Sequence, residues 1–391
     1  MRLKYGPAAA LPAALFALAS PSPAVMAAPA WQPVAHVTGV VDIGGPRADG
    51  KLLVAGSAKL WLMDLSGALT PFAQGPGGYA DDKGAEAYLA VSPGLTVDGA
   101  GCSFAPDDVY ILRLHAPIGV TKVDSTGEKS DFANIALASL SGIAFDTTGL
   151  FKHRLLVTGV TKGGTRDLVE IDCSGKQFIA NGSLPVNEGG FAVAPSTFGS
   201  FGGALIAPDE LSGNIYAFGA DGTVQTVIDS GLPHGADIGV ESLAFVPKGF
   251  LRGGTAFLAD RATAKNAHPG DDSVLTLTAA DLAAAGVQEG DLLAATEGGA
   301  ELVAVRCAAT CQVIPIVSTA TRAHAEGHLV LVTTAPPPSP TPSAPPATPV
   351  AAQVAASQLP DGIVVAALVI ALAVAVAAVV LIVLDVRRQR S

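Results

Sequence analysis

The stretch Glu241-Ser-Leu-Ala-Phe-Val-Pro247 is a short apolar run led by a glutamate. The chain repeats this pattern in four other runs: Glu86-Ala-Tyr-Leu-Ala-Val-Ser-Pro93, Ser141-Gly-Ile-Ala-Phe-Asp146, Glu188-Gly-Gly-Phe-Ala-Val-Ala-Pro195 and Glu297-Gly-Gly-Ala-Glu-Leu-Val-Ala-Val305. The runs start about 47 to 56 residues apart, a period that indicates a propeller or a solenoid. We interpret each run as the innermost strand of a propeller blade.

Between these runs the chain alternates apolar segments with turn residues, as expected for four-stranded meanders. Asp-Gly and Ser-Gly pairs fall where the third and fourth strands of a unit would join. The pattern predicts an all-β, six-bladed propeller over residues 31–333. Residues 37–43 would form the first inner strand, residues 254–259 and 273–278 would belong to the fifth blade, and Glu297 would begin the sixth.

The composition excludes some classes of partner. The 391 residues are 49% hydrophobic and 15% charged, and the formal net charge is −11. Nucleic-acid binding requires a basic face for phosphate contacts, so this acidic chain is not expected to bind nucleic acid.

The two ends of the chain predict an exported, membrane-anchored protein. Residues 1–30 have basic, apolar and small-residue segments typical of a signal peptide. Residues 334–361 form a Pro- and Ala-rich stalk, residues 362–385 an apolar transmembrane helix, and residues 386–391 a basic cytoplasmic tail. We expect a single-pass protein of a bacterial cell membrane, with the propeller outside.

The C-terminal region also resembles the wall-sorting signals of Gram-positive surface proteins, which carry an LPxTG motif before an apolar span. Leu359-Pro360-Asp361-Gly362 lacks the threonine of that motif. This departure favours a retained membrane anchor over covalent attachment to the wall.

The four cysteines would be oxidised outside the cell. Cys307 and Cys311 have the spacing of a clip across a tight turn, which leaves Cys102 and Cys173 for each other. Four cysteines allow three pairings, so the spacing favours this arrangement without requiring it.

The glutamates that lead the runs are the candidate functional residues. In a closed ring Glu86, Glu188, Glu241 and Glu297 would converge at one mouth of the channel, and Asp237 lies just before Glu241. Carboxylates brought that close repel one another unless a cation lies among them. They therefore predict a site for Ca²⁺ or another divalent cation. The alternative is that they cap strand ends at a solvated rim.

The repeats resemble the six-bladed propellers grouped around gluconolactonase, regucalcin and NHL-repeat proteins. The resemblance rests on the inner-strand runs and on Ser212-Gly-Asn-Ile-Tyr-Ala-Phe-Gly-Ala-Asp-Gly-Thr223. It implies a divalent metal in the central channel for those members that act as lactonases or esterases. Their ligands are a Glu on an early inner strand, an Asn and an Asp, and the Asn and Asp cannot be matched in this sequence.

Two functions follow. The first is a surface binding or scaffold module whose ligand is an extracellular protein, a glycan or a small molecule. The second is a metal-dependent hydrolase of the lactonase or esterase type. No motif of a serine hydrolase, zinc protease, P-loop or dinucleotide-binding enzyme occurs in the chain, and we therefore favour the first.

Overall fold

A computed structural model describes residues 29–74, 78–79, 85–180, 184–235, 237–316 and 322–334. Within these residues, 24 strands form six four-stranded antiparallel sheets. The innermost strands contact one another in a closed ring around a central channel. The six-bladed, all-β prediction is confirmed.

The predicted terminal segments fall almost entirely outside the described residues. These are the signal peptide (1–30), the stalk (334–361), the membrane span (362–385) and the tail (386–391), of which only residues 29, 30 and 334 are described. In the described part of the chain, no helix combines the length and the apolar character that crossing a membrane requires.

The first strand of the described residues is β1 (Gln32–His36), which belongs to the last blade, and four blades follow in sequence order. From the channel outward, blade one contains β2 (Val40–Gly44), β3 (Leu52–Gly56), β4 (Lys59–Met63) and β5 (Leu69–Ala73), and blade two contains β6 (Leu89–Val91), β7 (Val109–Arg113), β8 (Gly119–Val123) and β9 (Lys129–Asn134). Blade three contains β10 (Ser139–Phe145), β11 (Leu155–Val160), β12 (Arg166–Ile171) and β13 (Gln177–Ala180). Blade four contains β14 (Ala192–Val193), β15 (Leu205–Pro208), β16 (Asn214–Phe218) and β17 (Val224–Asp229).

The last two blades are interleaved. Blade five contains β18 (Val240–Phe245), β21 (Leu292–Thr296), β22 (Leu302–Cys307) and β23 (Cys311–Ile316). Blade six contains β24 (Ala325–Val332), β19 (Thr255–Asp260), β20 (Ser273–Thr278) and β1. After β18 the chain therefore crosses to blade six for one hairpin and returns through the helix α1 (Ala279–Ala284).

This exchange corrects two predictions. Residues 254–259 and 273–278 belong to blade six and not to blade five, because β19 pairs with β24. Glu297 lies in the turn between β21 and β22 and does not begin an inner strand. The inner strand of blade six is β24, and the N-terminal strand β1 closes that blade at its outer edge by pairing with β20.

The core consists of six apolar clusters, one between each pair of neighbouring blades. Successive residues of a strand point to opposite faces of its sheet. In β3, accordingly, Leu52 and Val54 pack toward blade six, whereas Leu53 and Ala55 pack toward blade two. Because a neighbour covers each face, the strands near the axis read as continuous apolar runs.

The turns and loops follow the repeat. In blades one to three, Asp64, Asp124 and Asp172 each accept hydrogen bonds from backbone N–H groups and from a Ser or Thr hydroxyl in the turn between the third and fourth strands. Fully buried phenylalanines occupy the loops that follow three inner strands: Phe151 after β10, Phe198 after β14 and Phe250 after β18. Each of these rings packs into an apolar cluster between two neighbouring blades.

Both cysteine pairings are confirmed. Cys102 and Cys173 join the loop after β6 to the turn after β12, and thus link blades two and three. Cys307 and Cys311 clip the hairpin of β22 and β23.

Candidate functional site

Acidic side chains gather at the end of the channel where the inner strands begin. We call this the acidic end; it comprises Glu86, Glu188, Glu241, Glu297 and Glu326, with Tyr88, Arg261 and His324 among them. The four predicted glutamates therefore converge in space, although Glu297 arrives from the turn between β21 and β22 and not from the start of an inner strand. Their role as metal ligands stays a prediction.

Three of these residues form a close group. Single donor atoms of Glu297, His324 and Glu326 all lie within 4.8 Å of one another. The Nε2 atom of His324 is 3.0 Å from Oε1 of Glu297 and 3.4 Å from Oε1 of Glu326. All three side chains are at most one-tenth exposed.

Backbone contacts bring this triad together. The N–H of Ala325 donates to the carbonyl of Glu297 at 2.8 Å, so that the β21–β22 turn lies against the start of β24. The N–H of His324 donates to Oδ1 of Asp260 at 2.9 Å. Since Asp260 ends β19, the strand exchanged between the blades helps to position the histidine.

Arg261 and Tyr88 connect the triad to the other glutamates. The Nη1 atom of Arg261 donates to Glu86 at 2.5 Å and to Glu326 at 3.0 Å. The hydroxyl of Tyr88 lies 2.9 Å from Oε1 of Glu241 and 3.2 Å from Oε2 of Glu326. Arg261 thus provides, within the protein, part of the positive charge that the carboxylates require.

Glu241, one of the predicted ligands, is not part of the triad. It is 3% exposed, and its Oε1 also accepts a hydrogen bond from the N–H of Gly327 at 3.1 Å. Gly189 passes so close that an added Cβ would lie 2.3 Å from Cγ of Glu241. This carboxyl group is enclosed by its own hydrogen bonds and by backbone.

Glu210 lies next to the acidic end: after burial and Glu86, its charge is a further cause of the raised pKa of Glu188. Asp237, a predicted ligand, is exposed on a loop there, and its N–H donates to Oε1 of Glu210 at 3.0 Å. Asp237 is thus connected to the acidic end through Glu210 and is not among the three triad residues.

Burial and mutual repulsion change the acidity of these groups. Burial raises the pKa of Glu188 to about 8, and Glu86 adds to that rise. Burial also raises the pKa of Glu241 well above its ordinary value, with Glu326 and Glu297 as further causes. Burial alone would lower the pKa of His324, but its contacts with Glu297 and Glu326 raise it to about 9. The carboxyl groups outnumber the cations that face them, so this end attracts positive charge.

The donor set of the triad fits a divalent cation. Two carboxylates and one imidazole are ligands that Mn²⁺ and Zn²⁺ accept, whereas Ca²⁺ prefers oxygen ligands throughout. One feature departs from a typical metal centre: Nδ1 of His324 is buried and makes no hydrogen bond to any described residue. Ligating histidines usually donate from that second nitrogen.

Four members of the acidic end were not predicted as candidate site residues from the sequence: Tyr88, Arg261, His324 and Glu326. The run Glu326-Gly-His328 resembles Glu188-Gly-Gly190 and marks the start of a true inner strand. Its distance from Glu241 exceeds the period of the other repeats, because the exchanged hairpin and three strands of blade five intervene. Arg261 and His324 carry no repeat signal in the sequence.

No protein-family profile and no curated protein matches the sequence. Solved structures similar to the chain include a catalytically inactive virginiamycin B lyase from Staphylococcus aureus with quinupristin (14% identity, TM-score 0.38), covering 76% of this chain and 91% of the lyase. A gluconolactonase from Xanthomonas campestris shows 13% identity and a TM-score of 0.37, over 59% of this chain and 69% of its own. A calcium-binding regucalcin from Agrobacterium tumefaciens shows 15% identity and a TM-score of 0.32, over 61% of this chain and 74% of its own. Similarity this distant says nothing about ligand or activity.

Proposed function

We propose that this propeller is a binding module that holds a divalent cation between Glu297, His324 and Glu326 and uses it to bind an oxygen-bearing ligand. The observation that carries the proposal is the approach of three donor atoms to within 4.8 Å of one another. The imidazole favours Mn²⁺ or Zn²⁺ over the Ca²⁺ expected from the sequence.

The position of the triad suits ligand binding better than a purely structural role. Three protein ligands leave coordination positions for water or for an oxygen atom of a ligand. The neighbouring Glu86 side chain is 39% exposed, so the acidic end opens to solvent on that side. Arg261 donates hydrogen bonds to Glu86 and to Glu326. A ligand that replaces one of these carboxylates as acceptor would be oriented by the guanidinium group.

The test is metal binding by the purified protein and two variants, Glu297→Gln and Glu326→Gln. Elemental analysis and calorimetric titration with Mn²⁺, Zn²⁺ and Ca²⁺ should show one bound ion in the wild type. Each variant should bind about tenfold more weakly or worse, because one charged ligand is lost. Glu301→Gln is the matched control, since Glu301 is an exposed residue of the same turn.

Two outcomes would change the proposal. Equal metal binding by wild type and Glu326→Gln would exclude the triad as the site. Turnover of a lactone or an ester that requires metal and is lost in Glu326→Gln would replace the binding role with a hydrolase of the kind named from the sequence.

We also propose that the domain is displayed outside a bacterial cell on a C-terminal anchor. The signal-like residues 1–30 and the apolar residues 362–385 support this location. The two disulfide bonds are compatible with an oxidising compartment. Protease added to intact cells should cut the stalk at 334–361 and release the propeller; a cut fragment that stays with the membrane would contradict a single C-terminal anchor.

A further inference from the structure

The opposite end of the channel contains a cavity of about 410 Å³. All six inner strands line it, and we call it the apolar pocket. It includes the aromatic rings of Phe145 and Phe191 and the aliphatic side chains of Val91, Val193 and Leu331. Among the described residues that line the pocket, His328 alone has a side chain that can carry a charge.

The floor of the pocket separates it from the acidic end. Nδ1 of His328 is 3.0 Å from Oδ2 of Asp42, and Nε2 is 3.0 Å from the carbonyl oxygen of Ile143 on the other side of the channel. Beside this bridge, an added Cβ on Gly190 would lie 2.5 Å from the carbonyl oxygen of Gly327. These contacts cross the channel between the acidic end and the pocket and narrow it there.

The rim and the wall differ in character. Pro46, Pro93 and Thr147 are exposed at the rim, whereas Phe145 and Phe191 are 7% and 3% exposed. An apolar concavity of this volume lies within the range of small-molecule sites, which run from about 300 to 1,000 Å³. An opening of this size admits a compact molecule rather than a folded partner.

We infer that the apolar pocket is a second binding site, for a compact, uncharged ligand with an aromatic or alicyclic ring. The two phenylalanines provide faces and edges for a ring. A protonated His328 is neutralised by Asp42, whose Oδ2 lies 3.0 Å from Nδ1, so this pair offers no net charge to an ionic ligand. Transfer of the ligand from water to this wall would drive binding.

The test uses indole, a neutral aromatic probe, and the full-length protein, with binding followed by saturation-transfer NMR. Ala244 is a half-buried lining residue, and Ala244→Trp should fill the pocket and weaken indole binding about tenfold or more. Thr226→Trp adds the same side chain at an exposed position of β17 and should leave binding unchanged. The full-length protein is kept in detergent, and any indole that the detergent takes up is the same for both variants.

Two further arms keep the test decisive. Val193→Ser removes apolar surface without adding volume and should weaken binding about threefold, even if Ala244→Trp fails to fold. The anionic indole-3-acetate and the cationic tryptamine should bind more weakly than indole. Glu326→Gln should leave indole binding intact, so failure of the metal proposal would not affect this one. Equal indole binding by wild type, Ala244→Trp and Val193→Ser, or no binding by the wild type, would overturn the inference.

Discussion

The two ends of the channel are built from the same six inner strands, yet one is acidic and the other is apolar. Glu241 and Leu243 show the contrast within β18: the first faces Tyr88 and Glu326, and the second lines the apolar pocket. Polar atoms at the acidic end are held by one another, whereas the pocket wall consists of side chains with few polar atoms. The difference shows that a repeat can specify one strand while its two ends acquire separate chemistry.

The division between the ends depends on a few backbone contacts near Gly327. This residue has a φ of 67°, and an added Cβ would lie 2.3 Å from Oδ1 of Asp42. No side chain can therefore occupy the point at which β24 passes from the acidic end to the pocket. Substitutions can test whether this separation stabilises the fold and whether the acidic end depends on the positive charge of Arg261. A third substitution tests how much stability a carboxylate outside the channel contributes.

The largest effect is expected from Gly327→Ala, which should break the separation. Positive φ and the clash with Asp42 together should lower the free energy of unfolding by about 3 kcal/mol. Gly231→Ala is the matched control, because Gly231 has a φ of 69° with no atom within 4 Å of the added Cβ. The control should cost about 1 kcal/mol. Denaturant unfolding measures both, and equal losses would show that the contact with Asp42 is not critical.

The second effect concerns the internal cation of the acidic end. Arg261→Met should destabilise the metal-free protein by about 3 kcal/mol, because it leaves Glu86 and Glu326 without their shared partner. Added Mn²⁺ or Zn²⁺ should restore part of the loss by mass action. Arg322→Met removes an exposed pair with Asp271 and should cost under about 0.5 kcal/mol. If no divalent cation raises the melting temperature of Arg261→Met, Arg261 and the proposed metal site do not affect each other.

The smallest effect concerns a carboxylate far from both ends. Burial alone would raise the pKa of Asp172, but hydrogen bonds from Ser174 and Lys176 hold it below the ordinary 3.8. A lowered pKa contributes stability at neutral pH that is lost as pH falls through the folded-state value. Asp172→Asn should therefore cost about 1 kcal/mol at neutral pH and much less at strongly acidic pH. Urea unfolding across this range checks it, and a pH-independent loss would mean that the charge is not involved.

Most of the architecture could be predicted from the sequence alone. The repeats led by Glu86, Glu188 and Glu241 located three inner strands, and Ser141 located a fourth, because both the apolar run and the leading polar residue recur. The Asp-x-Ser/Thr-Gly turns and both cysteine pairs were also local patterns. A local pattern is readable because the chemistry that produces it lies within a few adjacent residues.

The sixth blade was decided only by the tertiary structure. Its strands come from three separate parts of the chain, β1, the β19–β20 hairpin and β24, and pairing across such distances leaves no period in the sequence. That exchange also assembled the candidate site: Arg261 follows β19, His324 precedes β24, Glu326 lies at the start of β24, and Glu297 lies in a turn of blade five. Sequence alone thus determined the repeated blades and the acidic character of the strand starts. Which charges meet, and which cation faces them, depended on closing the ring, because long-range strand pairing places those side chains side by side.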